Sequence, residues 1–233
     1  MSLSQLLLVA SVALGALLGE FFSLRDRGMK FLTTFSGAYL LGIGVFHLLP
    51  EIFTEHSHYY GLMMMAGFFV QLLLEAMSKG LEHGHAHLEL FKGGHLPFGV
   101  LISLFLHAFL ESLPVGSATD LVSQRALLWG LLVHKIPVSV ILYSSLRRFS
   151  SKMGFLFFWM ILFAAMAPLG VLVGEQWPIL IEYQSELMAF VFGIFLHIST
   201  TILFESNQSH QFNLIKLLMI LGALGVAWLS VAH

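Results

Sequence analysis

The sequence predicts an all-α integral membrane protein, and three observations support that prediction. Of the 233 residues, 58% are apolar and only 10% are Asp, Glu, Lys or Arg, whereas ordinary soluble domains carry about 25% charged residues. The mean hydropathy is +0.87, so the chain has too little polar surface to cover a water-soluble globule. Several stretches are also apolar over about 20 residues, the length that a helix needs to cross the hydrocarbon layer. These values exclude a disordered chain and argue against a soluble enzyme.

Each apolar stretch is predicted to form one transmembrane helix, because lipid cannot satisfy free backbone N–H and C=O groups. The first stretch is expected to stay in the chain rather than be cleaved as a signal peptide, since no Lys or Arg precedes it. We number the stretches as segments one to eight. They run over residues 3–22, 31–52, 59–80, 97–117, 126–146, 155–174, 187–205 and 213–231.

The distribution of Lys and Arg predicts how the chain crosses the membrane. Nine of these residues fall on one side of the predicted bundle, whereas the opposite connections hold only Arg125. Because Lys and Arg collect on the cytoplasmic side, both termini are predicted to face outward from a plasma membrane, and a bacterial inner membrane is expected. The nine are Arg25, Arg27, Lys30, Lys79, Lys92, Arg147, Arg148, Lys152 and Lys216.

The ionisable residues limit which metal ligands and which binding partners the chain can have. With 12 His and no Cys, imidazole and carboxylate are the strong metal ligands of this chain. Lys and Arg number 11 against 13 Asp and Glu, so no basic excess indicates nucleic acid binding. A charged side chain at the bilayer centre costs roughly 2.5–3.5 kcal/mol on insertion scales, so ionisable residues inside the segments indicate function.

Segment four carries His107 and Glu111, which are four residues apart and therefore share one face of a helix. An imidazole nitrogen and a carboxylate oxygen form a ligand pair that a divalent ion such as zinc accepts. Pro114 follows, and it leaves the Leu110 carbonyl without its helical donor close to the pair. On this segment alone, a metal-ligand pair and a structural His–Glu hydrogen bond fit equally well.

Segment five carries His134 and Lys135, followed by Pro137. One interpretation is a structural kink whose lysine snorkels or pairs with Glu111. Two adjacent kinked segments with His, Glu and His at similar depth instead favour a binding site. The predicted metal ligands are therefore His107, Glu111 and His134.

Other ionisable residues are candidates for a pathway through the membrane. His47 and Glu51 end segment two near the outer surface, where they form either the outer mouth of a pathway or an interfacial cap. His197 lies at the middle of segment seven and is a further pathway candidate. Glu75, late in segment three, is interpreted as a solvated helix end.

The connection over residues 81–96 is predicted to be a cytoplasmic loop, and it contains the alternating residues His83, His85 and His87. Short His-rich tracts of this kind commonly bind metals. Because a loop enforces no fixed geometry, we expect a weak collecting or sensing site there.

Several of these residues belong to longer motifs. They are His47-Leu-Leu-Pro-Glu51, His107-x-x-x-Glu111, His134-Lys135-Ile-Pro, Pro168-Leu-Gly170-Val-Leu-Val-Gly174 and Gly193-Ile-Phe-Leu-His197. In these motifs the chain resembles the ZIP (Zrt-, Irt-like) family of divalent metal transporters, and the resemblance spans essentially the whole chain. It implies an eight-helix bundle with inverted three-helix repeats around a central helix pair. It also implies alternating access in homodimers, with His107, Glu111 and His134 at the transport site.

The chain departs from the two-metal members of that family. Ala108 stands where they usually have a polar residue, Val138 where they often have an acid, and Lys135 where they have a ligand such as Asp. A fixed ammonium repels a second cation by a few kcal/mol at ~4 Å and an effective dielectric near 20. We therefore predict a single transported metal, with Lys135 standing in electrostatically for the second.

The predicted function is the import of divalent transition-metal ions into the cytoplasm, without enzymatic activity or a resident cofactor. Zinc is favoured by the ligand types, and iron, manganese, cobalt, nickel and cadmium also accept N/O ligands. The expected partners are the lipid bilayer, the metal ion and a second copy of the chain. Two alternatives stay open: a non-transporting metal sensor, and an intramembrane hydrolase that uses the same three residues to activate water.

Overall fold

The computed structural model describes residues 2–21, 27–53, 59–81, 96–205 and 214–231, and the regular secondary structure of these residues is helical throughout. The loop histidines His83, His85 and His87 lie outside this description. The longer helices are α1 (Leu3–Phe21), α2 (Arg27–Ile43), α3 (Tyr59–Ser78), α4 (Phe98–Leu110), α5 (Leu121–Phe149), α6 (Met153–Gln176), α7 (Gln184–Glu205) and α8 (Leu214–Val231).

Seven of the described helical stretches are long and apolar enough to cross a membrane, and Leu214–Ser230 is a shorter apolar helix. For the part of the chain that the structure describes, the prediction of an all-helical membrane protein is therefore confirmed. Each of the seven stretches contains an 18-residue window with at most two Asp, Glu, Lys or Arg residues, so a long apolar run sets its length.

A π-helical turn, Gly44–Leu48, follows α2 and leads into the short helix Leu49–Ile52. The Leu49 N–H donates to the Gly44 carbonyl five residues back. Pro50 has no N–H to donate, so the regular pattern of helical hydrogen bonds does not continue through this point. Such turns are frequent at functional sites, and this one contains His47.

The chain also departs from a regular helix at the end of α4. A turn at Glu111 and Ser112 separates α4 from the short helix Leu113–Ser117, which has Pro114 in its first turn. The Ser112 hydroxyl donates to the Ala108 carbonyl at 3.1 Å and to the Phe109 carbonyl at 2.8 Å. The Ser112 N–H donates to the Phe109 carbonyl rather than to the Ala108 carbonyl four residues back, so the Ser112 hydroxyl supplies the donor that Ala108 lacks.

Helix α5 is the central helix of the bundle. In its most apolar window 78% of the residues are buried, against 28% in α1 and 22% in α3. At its start the Asp120 carboxylate accepts from the Ser123 N–H at 2.8 Å, which caps the helix. Because α5 packs against α1, α2 and α6, the polar side chains in its middle, such as His134 and Lys135, are buried in the bundle.

Helices α3 and α7 approach each other closely through a reciprocal pair of glycines. A Cβ atom at Gly67 would overlap the Phe190 carbonyl oxygen, and one at Gly193 would overlap the Met64 carbonyl oxygen. In membranes such small residues allow tight backbone packing where the hydrophobic effect does not drive association. The α3–α7 pair is therefore held at a fixed distance by two residues with no side chain.

We expect Gly67→Ala to destabilise the protein by about 1–3 kcal/mol, because the added methyl group meets a backbone carbonyl that cannot move aside. Thermal unfolding in detergent micelles measures this effect. Gly61→Ala is the matched control, since Gly61 lies on the same helix with nothing within 4 Å of its ideal Cβ position. Equal unfolding midpoints for the two variants would contradict the close approach.

Candidate metal site

Three potential metal ligands meet between α4 and α5. His107 is in the last turn of α4, Glu111 follows it by four residues, and His134 comes from the middle of α5. One ligand atom from each residue lies within 4.8 Å of those of the other two. Each of the three residues is 1% exposed, so the cluster lies in the interior of the bundle rather than on its lipid-facing surface.

His107 and Glu111, in and directly after the last turn of α4, are in direct contact, because residues four apart lie on the same side of a helical turn. His107 Nε2 lies 3.2 Å from Glu111 Oε2. The His107 and His134 rings are nearly perpendicular at 85°, with centroids 5.8 Å apart. The arrangement brings two imidazoles and one carboxylate together, which is a donor set typical of zinc sites.

Lys135, the residue after His134 on α5, also contacts the cluster. Its ammonium donates to Glu111 Oε1 at 2.6 Å, and it also lies 5.8 Å from the centre of the Phe163 ring. The lysine is 1% exposed. A buried charge is tolerated only when it is paired, so each of these two residues requires the other. The two oxygens of Glu111 therefore contact different groups, Lys135 on one side and His107 on the other.

The outer nitrogens of both imidazoles are bound by polar side chains from two further helices. His107 Nδ1 donates to Gln71 Oε1 of α3 at 3.0 Å, and His134 Nδ1 lies 3.2 Å from Ser36 Oγ of α2. Neither Gln71 nor Ser36 is among the residues predicted from the sequence. The sequence does contain a signal that could have identified Gln71. An amide side chain in the middle of an apolar segment requires a hydrogen-bond partner inside the bundle.

A comparison with known protein families finds a match. The family model described as ZIP zinc transporter matches residues 96–232, which is more than half of the chain. The chain belongs to the ZIP family. It is accordingly a multi-pass membrane protein of a family that transports divalent metals. A comparison with curated proteins gives no match.

The matched range includes α4 and α5, so all three potential ligands of this ZIP protein lie within the residues that the family model matches. Among the described residues, His107, Glu111 and His134 form the one group of three or more potential ligands that lie together. Of the other predicted site residues that the structure describes, Lys135 contacts Glu111, whereas His47, Glu51 and His197 lie elsewhere in the bundle.

Besides the Gln71–His107 hydrogen bond to α4, helix α3 makes a polar contact with α7. His197 Nε2 donates to a carboxylate oxygen of Glu75, and the Phe68 ring lies edge-on to the His197 ring at 4.8 Å. Glu75 is therefore not the solvated helix end expected from the sequence. It lies four residues after Gln71 on α3, so both polar residues share the face of that helix that leads from the His107 cluster.

His47 and Glu51 do not join the three-ligand cluster. His47, in the π-helical turn, donates from Nε2 to the Ala227 carbonyl of α8 at 3.2 Å. Glu51 is exposed at the end of the same stretch. In this arrangement His47 connects α2 to α8, and the carboxylate of Glu51 is accessible.

We expect Lys135→Met to destabilise the metal-free protein by about 3–5 kcal/mol, because Glu111 is then a buried charge without its cation. The double variant Lys135→Met with Glu111→Gln removes both charges and should recover part of that loss. Thermal unfolding in detergent micelles measures the stability of both variants. A double variant no more stable than the single one would show that the two charges are not coupled.

Proposed function

We propose that this ZIP protein imports divalent transition-metal ions, with zinc favoured, into the cytoplasm by alternating access. The observation that carries the proposal is the buried cluster in which ligand atoms of His107, Glu111 and His134 lie within 4.8 Å of one another. The family match supports divalent metal transport in general, and the residues present in the cluster support the choice of ion.

The donor set favours zinc on chemical grounds. Zinc binds His nitrogen and carboxylate oxygen at about 2.0–2.2 Å, usually with four ligands. Three protein ligands leave one position for water. Such an open site suits a carrier, because a closed site of four protein ligands would hold the ion too tightly for release. Iron, manganese, cobalt, nickel and cadmium remain within the range of ions that accept the same ligands.

We infer that a single metal ion occupies this site. The Lys135 ammonium holds one oxygen of Glu111 at 2.6 Å, at a place where a second ion would need a ligand. Two unit charges about 4 Å apart repel by about 4 kcal/mol at an effective dielectric of 20, and a divalent ion is repelled more strongly. The lysine therefore supplies the positive charge that a second metal would bring.

The polar residues outside the cluster mark a route for the metal ion across the membrane. If both termini face outward, α3 and α7 run from the outer side to the cytoplasm, so the His197–Glu75 pair lies on the cytoplasmic side of Gln71. His47 and Glu51 then mark the outer side. In this proposal the ion passes from the outer mouth to the cluster and leaves towards the pair.

The assembly and location belong to the same proposal. The resemblance implies a homodimer of eight-helix subunits built from inverted three-helix repeats. For the location we propose a plasma membrane, specifically a bacterial inner membrane. The excess of Lys and Arg on one side supports outward termini. The hydrolase alternative is not favoured, because Glu111 already contacts Lys135 and His107 and the described cluster contains no second carboxylate to act as general base.

Zinc flux into proteoliposomes tests the function directly. We expect uptake with the wild type and its loss in His107→Ala, because the variant removes a ligand. Zinc binding is measured on the same samples, with Gly61→Ala as a folded control whose site is unchanged. A wild type that binds zinc but moves none would support the sensor instead.

Anomalous scattering at the zinc edge, from crystals grown with zinc, tests the number of ions. We expect one peak between α4 and α5, next to His107 and His134 and away from the Lys135 ammonium. Two peaks there would defeat the single-metal proposal while leaving transport itself intact.

A further inference from the structure

Gln71 is a polar residue near the middle of the apolar helix α3, and none of its surface is exposed. An amide without partners in lipid or in a dry helix bundle costs several kcal/mol, so its presence in an apolar helix requires a reason. Its Oε1 atom accepts a hydrogen bond from His107 Nδ1 at 3.0 Å. The residue thus reaches from α3 to a proposed metal ligand on α4.

This contact bears on where the proton of the imidazole lies. With the amide oxygen of Gln71 directed at the ring, the amide accepts, and in that arrangement the His107 nitrogen opposite it carries hydrogen. In a neutral imidazole the other nitrogen then has the lone pair. That nitrogen is Nε2, which lies 3.2 Å from Glu111 Oε2. A lone pair and a carboxylate oxygen therefore face each other across the position where a cation would bind both.

The second imidazole is held differently. His134 Nδ1 contacts the hydroxyl of Ser36 at 3.2 Å. A hydroxyl both donates and accepts, so this contact is compatible with either tautomer of His134. In the orientation that the structure gives its amide, Gln71 favours hydrogen on Nδ1 of His107, whereas Ser36 favours neither tautomer of His134.

We propose that Gln71 is a positioning residue that holds His107 with hydrogen on Nδ1 and directs the Nε2 lone pair at the metal ion. The inference rests on the proposed metal site and adds the residue that sets its affinity. Loss of such outer partners of metal-binding histidines typically lowers metal affinity about 10–100-fold. Gln71 acts through His107 and does not itself contact the ion.

Two variants of Gln71 separate this role from simple packing. Gln71→Leu fills the space but cannot accept a hydrogen bond, and we expect its zinc dissociation constant to rise about 10–100-fold. Gln71→Glu keeps an accepting oxygen and should bind zinc at least as tightly as the wild type. Isothermal titration of purified protein in micelles gives both values.

Ser103→Ala is the matched control. The Ser103 hydroxyl donates to the Leu74 carbonyl, so it also joins α4 to α3 in the interior but touches no proposed ligand. We expect this variant to bind zinc with wild-type affinity. If Ser103→Ala weakens binding as much as Gln71→Leu, the effect of Gln71 is helix packing and the proposal is wrong.

Nitrogen-15 NMR of the zinc-free wild type tests the tautomer without any variant at Gln71. The His107 signals, assigned by their absence in His107→Ala, should show hydrogen on Nδ1. A His107 Nδ1 without hydrogen would overturn the proposal, as would wild-type zinc affinity in Gln71→Leu. A wild type that binds no zinc at all would instead refute the proposed metal site.

Discussion

The ion pair between Lys135 and Glu111 is the interaction on which the site depends. The two residues come from different helices, and neither charge is stable alone in the interior of a helix bundle. Their 2.6 Å contact fixes the end of α4 against the middle of α5. It also orients the carboxylate, so that one oxygen contacts the lysine and the other is directed at His107. The position of the potential metal ligands follows from this orientation.

The rest of the bundle supports that pair from outside. The turn after α4 places Glu111 where the helix is interrupted, and the hydroxyl of Ser112 satisfies carbonyls that the interruption leaves over. Ser36 of α2 and Gln71 of α3 contact the outer nitrogens of the two imidazoles. The cluster therefore draws its potential ligands from α4 and α5 and its supporting hydrogen bonds from α2 and α3. Any relative movement of these helices must break or exchange such bonds.

Much of this arrangement is local and therefore visible in the sequence. Apolar runs of about 20 residues predict membrane helices because their length is matched to the bilayer. The spacing of His107 and Glu111 predicts their contact because helical geometry alone brings positions four apart together. The family was also recognisable, since its motifs are short and contiguous.

The contacts that sequence analysis missed join residues distant in the chain. Gln71 is 36 residues from His107, and Glu75 is 122 residues from His197. Whether Glu75 faces water or another helix depends on the rotation of α3 against α7. That rotation is set by the reciprocal contacts of Gly67 and Gly193 with opposing backbone, and no local pattern specifies which backbone a glycine will meet.

The buried lysine also determines how the site responds to voltage. With both imidazoles neutral, Lys135 and Glu111 give a metal-free site with no net charge, and a divalent ion raises that charge to plus two. A membrane potential acts on net charge with about 2.3 kcal/mol per elementary charge per 100 mV. In the proposed carrier, a potential that is negative inside would therefore favour inward movement of the loaded site and leave the return of the empty site unaffected. The electrical gradient of the cell would then supply a driving force for accumulation.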